Sequence, residues 1–310
     1  MKVIITGGTG TIGRIVANSL SADKHEVFVL SRNKNKTAGL ASGIQVVGWD
    51  ATSASGWGHM ADGAGAIINL AGESLAGEGF PPSRWTDERK RRIRESRVNA
   101  GKAVAEAVGM ATNKPAVVIQ SSAVGYYGVH GDESITEDSP AGNDFLASVC
   151  KDWEASTASV EALGVRRAVI RTGIVLSSKG GALPRLALPF RFFVGGPIGN
   201  GKQQMPWIHI DDEIAAIRYL MDTPSASGVF NLAAPEPVNN ATMARALGRA
   251  LGRPSFFPTP GIAFKIAFGE LSTLLVDGQR AVPKHLLDAG FKFQFRDVEA
   301  ALADIYKHGK

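Results

Sequence analysis

The octapeptide Thr6-Gly7-Gly8-Thr9-Gly10-Thr11-Ile12-Gly13 sets glycines at 7, 10 and 13 directly after the apolar run Val3–Ile5. Gly7 permits a tight turn, Gly10 lets backbone approach a pyrophosphate, and Gly13 lets the next helix pack against the strand. A diphosphate at that helix start meets free N–H groups and the positive end of the helix dipole. Glycine triplets are common, but this one follows a strand, opens a helical pattern over Ile12–Ala22 and lies in a βαβ unit, the context that gives the motif meaning. Thr6, Gly7, Gly10, Thr11, Ile12 and Gly13 are therefore candidate dinucleotide-binding residues.

The end of the second apolar run, Glu26–Leu30, selects between the nicotinamide cofactors. An Asp or Glu there accepts from the ribose 2′-hydroxyl of NAD, whereas an arginine accommodates the 2′-phosphate of NADP. The chain reads Leu30-Ser31-Arg32-Asn33. No carboxylate stands there to repel a phosphate, and Arg32 can bind one through a charge-assisted fork. Ser31 and Arg32 thus point to NADP(H). Asp50, after the third run, has the acceptor that an adenine amino group needs; the same side chain equally suits a loop cap.

Apolar runs at Lys2–Thr6, Glu26–Leu30, Ile44–Val47, Ala66–Leu70, Ala116–Ser121 and Arg166–Arg171 alternate with helical patterns at Ile12–Ala22, Asp87–Ala111 and Asp144–Leu163. That alternation predicts an α/β, doubly wound parallel sheet of the Rossmann type, with ligand beyond the carboxyl ends of the strands. Beyond Thr172 the rhythm changes. A helix is predicted over Asp211–Met221 with Asp211 as its cap, a strand over Gly228–Leu232, a tight turn at Gly199–Gly201, and helices over Asn240–Leu251 and Asp297–Lys307. The expected division is a dinucleotide-binding domain of residues 1–172 plus about 205–232. A smaller carboxy-terminal substrate lobe takes about 173–204 and 233–310.

At 310 residues, 44% apolar and 20% charged, the chain has the composition of an ordinary globular protein. Its single cysteine, Cys150, allows no internal disulfide and suits a reducing compartment. The first strand begins without a basic-then-apolar leader, and the longest apolar stretch, Ile262–Val276, is interrupted by Lys265, Gly269 and Glu270. A cytoplasmic protein with no membrane span is expected. The cations Arg84, Arg89, Lys90, Arg91, Arg92, Arg94 and Arg97 form either an anion-binding patch or a solvated helix face. With no nucleic-acid-binding signature beside them, a small-molecule substrate rather than nucleic acid is the expected partner. No Gly-x-Ser-x-Gly, His-Glu-x-x-His, Cys-x-x-Cys or Walker loop occurs, and the six histidines do not fall at metal-ligand spacing. No metal is expected. His209 reads as a structural hydrogen-bonding residue, Cys150 as a packed apolar one.

Further motifs extend the pattern: Asn69-Leu70-Ala71-Gly72, Arg97-Val98-Asn99, Ser121-Ser122-Ala123-Val124-Gly125-Tyr126-Tyr127-Gly128, Arg171, and Trp207-Ile208-His209-Ile210-Asp211-Asp212. With Thr6–Gly13 they resemble the extended short-chain dehydrogenase/reductase superfamily over nearly the whole chain. Within it the chain is most similar to an atypical epimerase family group, some members of which carry a cell-division-inhibitor label. The cues are Arg84-Trp85-Thr86, Ser96-Arg97, Phe145-Leu146 with Trp153-Glu154, Gly195-Gly196-Pro197-Ile198-Gly199, Pro206-Trp207-Ile208-His209 and a tail from about Gly252, with Asp277–Pro283, that resembles the group's carboxy-terminal domain of unknown function. The resemblance adds Asn69, Leu70, Ala71, Gly72, Asn99 and Arg171 to the cofactor-binding candidates and makes Ser122 a catalytic candidate.

The chain departs from the superfamily at the catalytic Tyr-x-x-x-Lys. Anchoring on Glu154 puts Leu146 and Cys150 at those positions; anchoring on Lys151 puts Ala147 at the tyrosine. Neither Leu nor Ala exchanges a proton. Three readings follow. Tyr126 or Tyr127 supplies the proton with Ser122 orienting the substrate, unless both rings only pack; hydride transfer needs no protein acid; or the protein binds NADP(H) as a silent regulator or sensor. The expected function is an NADP(H)-dependent oxidoreductase or epimerase-like enzyme, monomeric or homodimeric. Its pocket lies between the lobes, walled by Ser122, Tyr126, Tyr127, Phe145 and Leu146 and by residues near Pro184–Phe193 and Gly195–Pro197.

Overall fold

Seven parallel strands form the centre of the computed structural model, which describes residues 1–77, 79 and 81–308. They are β1 (Lys2–Thr6), β2 (Glu26–Ser31), β3 (Gln45–Gly48), β4 (Ala66–Asn69), β5 (Val117–Ala123), β6 (Arg166–Thr172) and β7 (Gly228–Leu232). Their spatial order is β7-β6-β5-β4-β1-β2-β3, so the winding direction reverses between β1 and β4. This is the doubly wound α/β sheet predicted above, and the reversal opens a crevice at the strand ends. Register aligns one carboxyl edge: Thr6 pairs with Leu30 and Asn69, Asn69 with Gln120, and Ser122 with Arg171.

The principal helices are α1 (Thr11–Ala22), α2 (Asp87–Met110), α3 (Phe145–Ala155), α4 (Leu183–Arg191), α5 (Ile210–Asp222), α6 (Asn240–Leu251), α7 (Gly261–Phe268) and α8 (Val298–His308). Alternate strand side chains face opposite sides of the sheet. Ile5, Val29, Ile68, Ile119 and Ile170 pack with Val16 and Leu20 of α1 and Ile214 and Ile217 of α5. Ile4, Leu30, Ile67 and Val118 pack with Trp57 and with Ala100, Val104 and Val108 of α2. Cover on both faces explains why the strands are almost continuously apolar. A third cluster joins Leu183 and Phe190 of α4, Met243 and Leu247 of α6, and Leu302 and Ile305 of α8 around Trp207. No described helix is long and apolar enough to cross a membrane.

Three local expectations change. The single helix expected over Asp144–Leu163 ends at Ala155, because the Ser156 hydroxyl donates to the Trp153 carbonyl (2.6 Å) and competes with the helical ladder. Ser156 also packs against Gly101, where α2 comes close. Helix α4 was hidden by its prolines, yet Pro184 falls in the first turn, where no N–H is required. Helix α5 is capped by His209, whose Nδ1 accepts from the Asp211 N–H (3.1 Å), and not by Asp211.

Helix α5 also carries Glu213, which is fully buried. Thr172 donates to its Oε1 (3.0 Å), while Oε2 has no partner among the described residues. Burial pushes this carboxyl up to about 8, against a smaller opposing pull from the Thr172 hydrogen bond. Because the folded-state value is raised above the ordinary 4.5, the protonated group supports the fold fully below that lower value, and the support is lost as pH rises through about 8. Glu213→Gln keeps the neutral form at every pH. Its stability advantage over the wild type should widen by a few kcal/mol between pH 5 and pH 9, since each tenfold change in a protonation equilibrium is worth about 1.4 kcal/mol. Parallel denaturation midpoints across that range would overturn the assignment.

Candidate functional site

The glycine turn connects β1 to α1 at the sheet reversal. Gly7 has φ +67°, and a Cβ there would lie 2.6 Å from the Leu70 carbonyl oxygen, so both conformation and space demand glycine. At Gly13 a Cβ would lie 2.7 Å from the Gly8 Cα, which fixes close packing of helix on turn. Gly10 is the N-cap of α1 and supplies no side chain, leaving the first-turn N–H groups of Thr11, Ile12 and Gly13 without a side-chain cap. That end can receive an anion. The Ser177–Gly181 turn of the second lobe leans over it, with Gly180 against Thr11.

Thr6 and Asn69 are fully buried and shape the edge from within. Thr6 Oγ1 donates to Asn69 Oδ1 (2.6 Å) and accepts from the N–H groups of Leu70 (3.1 Å) and Ala71 (3.2 Å). Asn69 Nδ2 donates to Gln120 Oε1 (2.8 Å). Their side chains thus hold the Leu70-Ala71-Gly72 turn in place, and the backbone of that turn faces the glycine loop. At the end of β2, Ser31 exchanges hydrogen bonds with the backbone of Asn33 and shapes a turn instead of presenting a hydroxyl. That turn displays Arg32, exposed and without a hydrogen bond or ion pair among the described residues, beside exposed Lys34 and Lys36. Arg14 of α1, which no motif singles out, reaches the same loop at the Ala38 carbonyl (3.4 Å). Asp50 is a loop cap: its carboxylate accepts from the N–H groups of Thr52 (2.7 Å) and Ser53 (2.8 Å) and from the Ser53 hydroxyl (2.7 Å). These bonds hold it well below the usual carboxylate range. Asp50 thus fills the loop-cap role that the sequence offered beside the adenine contact.

At the ends of β5 and β6 the polar candidates converge on one buried ion pair. Arg171 Nε and Nη2 donate to the two carboxylate oxygens of Glu154 on α3 (2.8 and 2.9 Å). Ser122, 3% exposed, donates to the same carboxylate (2.7 Å). Arg171 Nη1 donates to the Tyr127 hydroxyl (3.0 Å), which itself donates to Asn231 Oδ1 of β7 (2.7 Å). Burial disfavours the Arg171 cation, but its bonds to Glu154 outweigh that and hold it above the ordinary arginine range. Burial pushes the Tyr127 phenol up to about 12, against the pull of Arg171. Tyr127 is 0% exposed, so it cannot meet a substrate, and the catalytic expectation for it is corrected. Ser122 and Arg171 are likewise buried and bonded within the protein. Tyr126 differs. It is half-buried, its ring lies 3.3 Å from the Arg171 guanidinium, and its hydroxyl has no hydrogen-bond partner among the described residues.

Among the other expected pocket residues, Leu146 packs against Gly125 and Phe145 against Trp85 (5.2 Å between ring centroids). Ala147 and Cys150 are buried. Arg185 of α4 donates to the Gly77 carbonyl (2.8 Å), joining that helix to the loop after β4. Gly195–Pro197 instead pairs with the strand-like Phe257–Thr259 segment inside the second lobe. Asn99 is corrected as well. On α2 it lies about 140° from the buried stripe of Ile93, Gly101 and Val104 at 100° per residue, in a groove with Arg94, Lys102 and Asp152. Arg97 occupies the sheet-facing stripe. An arginine four residues from Ile93 and seven from Val104, inside an apolar pattern, was the signal that could have found it.

Residues 3–233 match the model of the NAD dependent epimerase/dehydratase family, and residues 259–305 match a domain of unknown function, DUF1731. The chain is 38% identical over 98% of its length to the chloroplastic epimerase family protein SDR39U1 homolog of Arabidopsis thaliana, covering 86% of that protein. It is 37% identical to epimerase family protein YfhF of Bacillus subtilis, covering 98% of both chains. The crystal structure of human epimerase family protein SDR39U1 (isoform2) with NADPH superposes with a TM-score of 0.87 at 33% identity, covering 99% of this chain and 100% of that one.

Removing one member of the buried pair leaves the other charge uncompensated, which typically costs about 3–5 kcal/mol. Arg171→Met and Glu154→Gln should each lower the urea midpoint accordingly. Tyr127→Phe should cost about 1–3 kcal/mol, the penalty of a buried bond left unmade, and should leave NADPH affinity within twofold. A Tyr127→Phe protein of wild-type stability that fails to bind NADPH would contradict this placement.

Proposed function

The chain belongs to the NAD dependent epimerase/dehydratase family, and from that premise we propose that it is an NADP(H)-dependent oxidoreductase or epimerase-like enzyme acting on a small molecule. The observation that carries the reading is the uncapped start of α1 between a glycine turn and the unpaired Arg32. The fit is physical. The first-turn N–H groups suit a diphosphate, and Arg32, with Arg14, Lys34 and Lys36 nearby and no carboxylate at the end of β2, suits a 2′-phosphate. The NADPH in the related human structure supports the same cofactor for this chain. When bound, the nicotinamide supplies hydride donation or acceptance.

The chain's own residues then divide the remaining work. Gly7, Gly10, Thr11, Ile12 and Gly13 form the diphosphate cradle, Leu70, Ala71 and Gly72 its opposite wall. Thr6, Asn69 and Ser31 hold those segments in shape. With Leu146 or Ala147 at the position of the superfamily's phenol, Tyr126 is the hydroxyl left free to donate to a developing oxyanion. Its contact with the Arg171 cation stabilises negative charge on the oxygen. The substrate lies between the dinucleotide-binding domain, 1–172 plus about 205–232, and the lobe formed by the rest. A cytoplasmic location fits the single buried thiol, Cys150. A second reading, a catalytically silent NADP(H)-binding regulator, is favoured by one observation: Ser122 and Tyr127 are both engaged within the protein.

Titration of the purified protein should give tighter binding of NADPH than of NADH, and Arg32→Ala should remove most of that preference, about 1–3 kcal/mol. Equal dissociation constants for the two cofactors in the wild type would remove the NADP(H) assignment. Gly10→Val should fold and lose cofactor binding. Once a turnover assay exists, Tyr126→Phe should slow it by about 10²-fold or more with NADPH affinity intact. NADPH binding without turnover of a carbonyl and sugar-nucleotide panel would favour the regulator.

A further inference from the structure

Arg97 is a half-buried cation at the rim of the proposed site, with no ion pair among the described residues. It lies on the sheet-facing stripe of α2, with its guanidinium 5.0 Å from the Trp153 ring centre. The position a Cβ would take on Gly72 is 3.1 Å from its Cζ and 3.3 Å from its Nε. Gly72 is solvent-exposed and ends the turn whose Leu70 carbonyl touches the glycine loop, so the guanidinium borders the crevice. Its one hydrogen bond among the described residues is from Nη1 to the Ile93 carbonyl (2.9 Å). The nearby carboxylate, Glu73, is taken by Arg92 (2.8 Å) and Arg89 (3.6 Å), and Asp152 by Arg94. Lys90 pairs with Glu270 and Arg84 bonds to carbonyls of α7. Arg97 therefore differs from its neighbours in the same basic segment.

Desolvating a charge is costly, and burial pulls this guanidinium down to about 10 against smaller opposing pulls from Cys150 and Glu73. Methionine or leucine would fill the stripe without that cost, so the guanidinium has a use that its protein contacts do not meet. It retains donors beyond the one bonded to Ile93, in the planar fork that matches a carboxylate or phosphate. Glycine at 72 leaves the space beside it clear. We propose that Arg97 binds an oxyanion of the substrate, so that the enzyme acts on a small carboxylate- or phosphate-bearing molecule whose apolar part lies along Phe145 and Leu146. This rests on the cofactor-dependent reading above and names its substrate class.

The test uses the full-length protein saturated with NADPH, titrated at constant ionic strength with inorganic phosphate, benzoate and phenylacetate, and with the neutral isosteres benzamide and phenylacetamide. Binding is followed by tryptophan fluorescence, for which Trp153 is the reporter. Each carboxylate should bind at least tenfold more tightly than its amide. Arg97→Met should erase that difference and Arg97→Lys should restore part of it, with NADPH affinity within twofold of wild type in both. In the unaltered protein, phenylglyoxal labelling of Arg97, located by peptide mass, should be slowed by benzoate and not by benzamide or NADPH, a readout that needs no variant to fold. No preference for the carboxylates, or a preference that survives Arg97→Met, overturns the proposal. A tenfold loss of NADPH affinity in Arg97→Met, with NADPH protecting Arg97 from labelling, also overturns it by assigning the cation to the cofactor phosphates. Failure of the wild type to bind NADPH would instead remove the cofactor reading, and appears in the first titration.

Discussion

The bidentate pair between Arg171 and Glu154 joins more separate parts of the chain than any single apolar contact described. It links the end of β6 to α3. Ser122 adds β5, Tyr127 adds the turn after it, and Asn231 adds β7. Asn231 then reaches the Val282 carbonyl, while Glu137 accepts from the N–H groups of Asn231 and His285, so the carboxy-terminal tail is tied to the same node. A guanidinium 4% exposed is tolerable only when its donors are met, and here Glu154, Tyr127 and the Tyr126 face meet them. The carboxyl edge of the sheet is tied together at this node.

That engagement has a functional consequence. Ser122 and Arg171, which the motif resemblance makes catalytic and cofactor-binding candidates, have hydrogen bonds directed inward, and Tyr127 is sealed beneath them. A hydroxyl or cation can act on a ligand only where the fold leaves it unsatisfied. By that criterion the groups left available among the described residues include the Tyr126 hydroxyl, Arg32 and the N–H groups at the start of α1, with Arg97 the proposed addition. The rest of the basic segment is largely neutralised locally: Arg84, Arg89, Lys90, Arg92 and Arg94 each contact a carboxylate or carbonyl.

The sheet and the cluster around Trp207 obey different constraints. The sheet is held by alternating apolar side chains against helices on both faces, an arrangement set by strand periodicity. The cluster around Trp207 is built from helices, with irregular segments paired to one another beside it, Gly195–Pro197 against Phe257–Thr259. Its α4 and the Ser177–Gly181 turn reach back over the crevice, the former through Arg185 to Gly77 and the latter through Gly180 to Thr11. The second lobe thus meets the nucleotide-binding edge from two directions.

Local patterning was enough to specify the sheet, its parallel winding and the glycine cradle. Continuous apolar runs, helical stripes and a glycine spacing are local signals, and local signals survive without tertiary information. Lys2–Thr6, Gly228–Leu232 and Asn240–Leu251 were legible to the residue. The place of Arg32 at the end of β2 was equally legible, because a strand end is a local feature. Which polar side chains face the crevice was settled by packing alone. Asn99 and Arg97 are two residues apart on one helix, and about 200° of rotation, at 100° per residue, separates the solvent groove from the sheet face. Tyr126 and Tyr127 are adjacent, yet only one of them is buried beneath Arg171. Partnership across 32 residues between Ser122 and Glu154, or 104 between Tyr127 and Asn231, leaves no spacing in the sequence to read, since it is created by chain packing.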